Sequence, residues 1–452
     1  MADGVSCAGI TSRLIEFIDE PDYVALDRSV QEEAVRAWVN CIGCMLGGAQ
    51  HRLVDVAHEA LIEFAGPPTA ILLGRGMRAD GLTASLINAL AGAAYSFDDT
   101  YSDAMLHPAG PIISALIVLA QREVVDGTAF LSAFVAGIEV ACRLTKAVAL
   151  EPAKGEMGWS QTGIVCGMAT ALAAGKLLKL DRRALKSAIG IALSQAAGTR
   201  ATHGSMAASL IFGHAAHTGL RAALMAAKGF TGPDDALEDR FGFLTLFAHQ
   251  ACPESLTNDL GTNFEFLNLT YKPFPCGMVI HPALDGVLQL RTAHNLDLSN
   301  VERITLTVST QAIRFGWHPE PKDSLEAKVS LHHWVAVALQ TGRAGLAEGS
   351  MEMIQNAQVL ALRRRIDVIE DGSLRNDAAD VAIMTNTGRA YRIAIDHCVG
   401  STEQPMSDGQ ISRKFSEQAV TVLGESRTAH LLAQCWSLPE SADVGSLIET
   451  GM

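Results

Sequence analysis

Charge is scarce in this sequence: Asp, Glu, Lys and Arg make up 19% of its 452 residues, while 48% are hydrophobic. An unfolded chain needs the opposite balance, so disorder is excluded. Positive charge is the scarcer sign, with 35 Lys and Arg against 49 Asp and Glu and a net charge of −14. Nucleic acid and anionic membrane surfaces offer no partner to such a protein, so neither is expected. The start, Met-Ala-Asp-Gly-Val-Ser, lacks the basic segment and apolar core of a secretory leader. No membrane span is expected either. The long uncharged run Ala201–Leu220 carries His203, His214 and His217, which suits a buried helix. The expected location is cytoplasmic.

Cysteine gives no framework. Nine are scattered from Cys7 to Cys435, an odd, dispersed set that fits reduced thiols. Cys41 and Cys44 form a C-x-x-C inside an amphipathic helix, with no second pair at zinc-ribbon spacing, so core packing is the expectation. There is no G-x-G-x-x-G after a strand, no G-x-x-x-x-G-K-[ST], no H-E-x-x-H and no G-x-S-x-G. Nucleotide-driven chemistry and nucleophile-elbow hydrolysis are disfavoured by those absences.

What the sequence has is helical periodicity. Ser29-Val-Gln-Glu32 reads as a capping box before Ala34, Val35, Trp38, Val39, Ile42 and Met45, and a second helix follows through Leu53–Phe64. Segments 81–94, 112–121, 128–144, 162–178, 185–197 and 207–227 are rich in Ala, Gly and Leu. Small residues allow close helix approach, and their near-continuous apolarity implies burial all round. After Phe264 the pattern changes. Ile304, Leu306 and Val308 alternate with polar residues as in a strand. Val381–Thr385, Asn386-Thr-Gly388 and Tyr391–Ile395 read as a hairpin. Helices are expected near 325–340 and 351–362, and Arg363-Arg-Arg365 as a solvated helix end rather than an anion grip. The fold class is mainly α. Residues 1–264 form a helical part, 265–403 a smaller α+β part, and 404–452 a helical tail that rejoins the first.

Three polar clusters stand in apolar surroundings. Phe97-Asp98-Asp99-Thr100 through His107-Pro108 gathers acids, a hydroxyl and an imidazole, the material of general acid–base chemistry. The plainer alternative is a solvated capping loop. Tyr271-Lys272-Pro-Phe-Pro-Cys276, with His281, holds a lysine on a rigid path toward an anion, or else is a linker with a solvated lysine. Lys328-Val-Ser-Leu-His332-His333-Trp334 starts a helix on which the two histidines face different ways.

These blocks resemble the MmgE/PrpD family, which includes 2-methylcitrate dehydratase, cis-aconitate decarboxylase and iminodisuccinate epimerase. Phe97-Asp-Asp-Thr100…His107-Pro108 is similar to its F-D-D-T…H-P element, and Tyr271–Cys276 to its Y-K-x-x-P-x-C block. Trp159–Gly163, Gly204–Pro233, Ala327–Ser330 and Gln404–Ser407 resemble further blocks in the same order. The resemblance spans nearly the whole chain. It implies a large all-helical domain built from both chain ends, a smaller inserted α+β lid domain, a homodimer, and a site between domain and lid. It further implies proton transfer beside a carboxylate of a small organic acid, with no cofactor and no metal.

Residue by residue, the match retains Asp98, Asp99, Thr100, His107, Lys272, Cys276 and His281. It departs at Ser96 (an acid in the family), Ser160 (histidine), Ala208 and Ile211 (the lysine and histidine of T-K-P-L-H) and His333 (tyrosine). The lost cations suggest a less charged substrate. The expected roles are His107 as general acid–base, Asp98 or Asp99 orienting it, and Lys272 stabilising the developing enolate. Thr100, Ser160, Cys276, His203 and His333 are expected to bind substrate. The expected activity is a carbon–oxygen lyase, hydrating or dehydrating a small carboxylic acid. An epimerase or other isomerase and a decarboxylase are alternatives, as is a family member that has lost catalysis and serves as a binding or scaffold protein.

Overall fold

The computed structural model describes residues 9–19, 22–156, 158–294 and 296–451; Cys7 lies outside them. Helix α1 spans Arg28–Gly48 without the expected capping box. The chain is already helical at Ser29, Asp27 precedes it with no side-chain cap, and Glu32 pairs instead with Arg28 at 2.7 Å. Cys41 and Cys44 are buried, free thiols on this helix. Helix α2 (Gly81–Gly92) opens on Asp80, which accepts from the Leu82 and Thr83 amides. Every residue of α3 (Ala109–Ala120) is buried. In α4 (Gly127–Ala149), Asp126 caps the first turn and the Arg143 guanidinium pairs with buried Glu139. This helix is long and apolar enough to cross a membrane, but 89% of its apolar stretch is buried by neighbouring elements. Helix α5 (Gln161–Leu177) starts at Ser160, whose hydroxyl accepts from the Gly163 amide. Helix α6 (Met206–Ala226) lies against α2 so closely that a Cβ on Gly213 would sit 2.7 Å from the Leu86 carbonyl oxygen.

One of three short two-stranded ladders in this part positions the site. Strand β1 (Asp99–Tyr101) pairs antiparallel with β2 (Leu269–Tyr271), placing Asp99 opposite Tyr271 and Thr100 opposite Thr270. Helix α7 (His281–His294) then starts a second apolar core, of which Leu284, Leu306, Trp334 and Ile383 are members. The sequence patterns did not mark α7, since His281-Pro282 reads as a breaker; proline is tolerated in a first turn. The sheet here has the order β6-β5-β3-β4, built from β3 (Val301–Val308), β4 (Ile366–Glu370), β5 (Ala379–Thr385) and β6 (Ala390–Ile395). β4 runs parallel to β3, and the β5–β6 hairpin pairs Ile383 with Tyr391.

Both helices expected between these strands are broken in two. Ser324–Ala327 stops at Lys328, and Ser330 caps a fresh helix, α8 (Leu331–Thr341), by accepting from the His333 amide. Asn356 likewise separates Met351–Ile354 from Ala357–Arg363 by capping the second piece. Short polar side chains compete for backbone amides, which is why they interrupt a helical pattern. The arginine run is no solvated end either: Arg363 is buried and Arg365 donates to the Val301 carbonyl. Helix α9 (Asp408–Leu423) packs back on α1, so Ile411 and Phe415, with Leu431 of the helix that follows, share one core with Leu14, Trp38 and Phe134.

Candidate active site

Between α2 and α3 the backbone turns left-handed twice, at Ser96 and at Met105, each with φ of 52°. The segment in between is β1 and a tight turn closed by a bridge between Tyr101 and Leu106. That return places His107 beside Thr100. The His107 amide donates to the Thr162 hydroxyl at 3.0 Å, and its ring Nδ1 lies 2.8 Å from the Asp99 carbonyl oxygen and 3.2 Å from Thr100 Oγ1. A carbonyl oxygen only accepts, so this bond assigns the proton to Nδ1 and leaves the lone pair on Nε2. Burial, and next the Lys272 charge, push the imidazole down to about 4, so it is neutral near pH 7.

Asp98 stands between the imidazole and an ammonium. Lys272 Nζ is 3.4 Å from its Oδ1 and His107 Nδ1 is 3.6 Å from its Oδ2, an oxygen that is buried with no hydrogen-bond partner. Burial alone would raise this carboxyl; Lys272 and then His107 outweigh it and hold Asp98 below its ordinary value, as a carboxylate. Asp99 goes the other way, pushed up to about 7 by burial and by the charge of Asp98, while its Oδ2 accepts from the Ala109 amide at 3.2 Å.

Lys272 is only 4% exposed and donates to the Ser96 carbonyl at 3.1 Å, which overturns the solvated-linker alternative. The β1–β2 ladder ends one residue before it and fixes where it can reach. Gly400 (φ +88°) packs against this turn; a Cβ there would meet the Tyr271 carbonyl oxygen at 2.7 Å.

A second ammonium lies beneath. Lys414 of α9 is buried and donates to the Phe97 carbonyl at 2.6 Å, the Lys272 carbonyl at 2.9 Å and Asn40 Oδ1 at 2.7 Å. It therefore ties the residue before Asp98 to Lys272 itself. Burial pushes it down to about 8. Replacing Lys414 with Met is expected to cost about 3 kcal/mol, because three buried acceptors lose their donor. Urea unfolding measures this, and a loss under about 1 kcal/mol would show that those acceptors find other partners.

His107, Asp98 and Lys272 line one cavity of about 160 Å³. Ser160 and His203 line it as well, and so do Ser96, Ala208 and Ile211. Asp99 and Thr100 sit behind the imidazole, and Thr100 faces a neighbouring groove together with His281. Two expected binding residues are placed elsewhere. Cys276 is fully buried, with its thiol pushed up by burial, and does not line the cavity. His333 is fully buried on α8, its Nε2 2.9 Å from the Glu348 carbonyl oxygen. It does not stand in for the family's tyrosine in the cavity.

Two cations in the cavity wall were not anticipated as such. Lys328, at the helix break, donates to the Ala94 carbonyl at 2.7 Å and is pushed down to about 8 by burial. Arg200 donates to the Trp159 carbonyl at 3.1 Å and lies 5.7 Å from the Phe315 ring centroid. The site thus holds Arg200, Lys272 and Lys328 against one carboxylate, Asp98, and is not depleted of positive charge. The signal for Lys328 was its place in the A-K-F-S-like block; Arg200 borders the uncharged run without any motif.

Among the described residues, one group has the spacing of metal ligands, Asp377, His397 and Glu403. Arg375 already donates to Asp377 at 2.9 Å and contacts the His397 ring, which gives this group a cation of its own.

Residues 12–255 match the MmgE/PrpD N-terminal domain and residues 274–438 the MmgE/PrpD C-terminal domain. A cis-aconitate decarboxylase of Aspergillus terreus is 25% identical across 99% of this chain and 97% of its own length. A cis-aconitate decarboxylase-like protein of Aspergillus oryzae is 25% identical across 99% of this chain and 98% of its own. The cis-aconitate decarboxylase of Homo sapiens is 24% identical across 80% and 78%.

Proposed function

Because the chain belongs to the MmgE/PrpD family, we propose that it is a lyase acting on a small di- or tricarboxylic acid by moving a proton at the carbon beside a carboxylate. One observation carries this reading: the unprotonated Nε2 of His107 and the ammonium of Lys272 serve a single cavity, joined through Asp98. His107 takes the proton, Lys272 stabilises the enolate charge that the substrate then carries, and Asp98 holds the two in register. Arg200 and Lys328 hold the substrate's other carboxylates. In the dehydrating form, the enolate expels hydroxide, which takes a proton from the Lys328 ammonium and leaves as water while the carbon–carbon double bond forms. The second form is decarboxylation, favoured by the activity that the relatives' names carry. There a carbon–carbon bond breaks, carbon dioxide leaves, and the carbanion takes a proton from the Lys328 ammonium. Residues 265–403 act in this proposal as the lid, which is supported by their separate apolar core and by their supply of Lys272 and Lys328.

Incubation with citrate and with cis-aconitate in deuterated water, followed by proton NMR, tests this. Deuterium beside a carboxylate with a changed double bond is the expected result, and carbon dioxide release marks the second form. Deuterium without either change points to an epimerase. Acids that bind, and are neither exchanged nor converted, would return the protein to the scaffold alternative.

A further inference from the structure

The positions at which the resemblance implies a lysine and a histidine, Ala208 and Ile211, both face the cavity. They share one face of α6 with Phe212, which lies 5.7 Å from the His107 ring by centroids. Met105, Phe315 and Leu325 add apolar wall from three other segments, and all three, like Phe212, remain partly exposed. A small polyacid has no surface to match such a wall. Its carboxylates satisfy Arg200, Lys272 and Lys328 and leave the rest in contact with water. A single methyl group touches one or two of these side chains, whereas six of them come from four places in the chain.

We infer that the acid this site takes carries an aliphatic substituent longer than methyl, its carboxylates on Arg200, Lys272 and Lys328 and its chain along the Ala208–Phe212 face. The assignment of the acid head rests on the reading given under Proposed function; the apolar half does not. A cavity of about 160 Å³ is below the roughly 300 Å³ of common ligand sites, so the substituent is short, about two to four carbons.

Calorimetric titration with maleate, methylmaleate and propylmaleate decides the matter without needing turnover. Affinity should rise about threefold per added carbon, to about 30-fold from maleate to propylmaleate. A flat series, or one that weakens with length, overturns the inference. Ala208→Lys should weaken propylmaleate at least tenfold while tightening cis-aconitate, and a variant that keeps the wild-type slope also overturns it. Should that variant not fold, Leu325→Ser is expected to flatten the series, and an unchanged slope counts against the inference equally. A steep series in a protein that exchanges no α-proton sinks the lyase reading alone. Exchange combined with a flat series sinks the aliphatic pocket alone.

Discussion

His107→Ala is expected to lower turnover of whichever acid is accepted by about 10²–10⁴-fold, with KM changed only a few-fold. The size follows from the geometry of the ring. Its Nδ1 proton is committed to the Asp99 carbonyl, so Nε2 is the nitrogen left to take a proton, and Phe212 and Thr162 fix where it stands. His107 acts as a base only when neutral, and in the free enzyme it loses its proton at about 4. The acid limb of kcat/KM is therefore expected near that pH, and His107→Gln should lack it altogether. Steady-state rates from pH 3.5 to 8 check both statements, and a variant within a few-fold of wild type would remove His107 from the chemistry.

Lys272→Met should cost about 10²–10³-fold in rate, the usual loss when a preorganised charge at a developing oxyanion is removed. It carries a second signature with a definite sign. After burial, the Lys272 charge is the largest influence holding the imidazole down, and Asp98 opposes it. With the ammonium gone, the carboxylate acts on His107 uncompensated, so its pKa rises and the acid limb moves toward neutral pH. Asp98 supplies the stability counterpart. In the wild type its folded pKa is depressed, so its contribution is present above the unfolded carboxyl value and lost as the pH falls through the folded one. In the variant it is a buried carboxylate without its partner, and about 3–5 kcal/mol should be lost at pH 8 and less near pH 4, where the carboxyl takes up a proton. Urea midpoints at the two pH values measure the difference; equal losses at both would mean that Lys272 does not hold the Asp98 charge.

The helices of the first half were legible because their Ala, Gly and Leu runs bury on every side, as α3 does along its whole length. Their ends were less so. Ser29 and Glu32 have the spacing of a capping box, but Arg28 pairs with Glu32 instead where the helix starts ahead of Ser29, at Arg28. The Asp98–His107 loop was legible because acids between apolar helices have few uses. Arg200 and Lys414 were not, since neither lies in a block that marks it, and Lys328 was marked by its block alone without a role. His333 matches a family block by position, but its ring is buried against the Glu348 carbonyl.

The ammonium of Lys414 also sets a schedule for biosynthesis. A ribosome that has released only the helices up to α6 has already delivered the imidazole and both aspartates, yet the carbonyl of Phe97 still waits for a donor encoded some 317 positions downstream. The Asp98–His107 loop of a half-made polypeptide therefore lacks this donor until α9 packs beneath it.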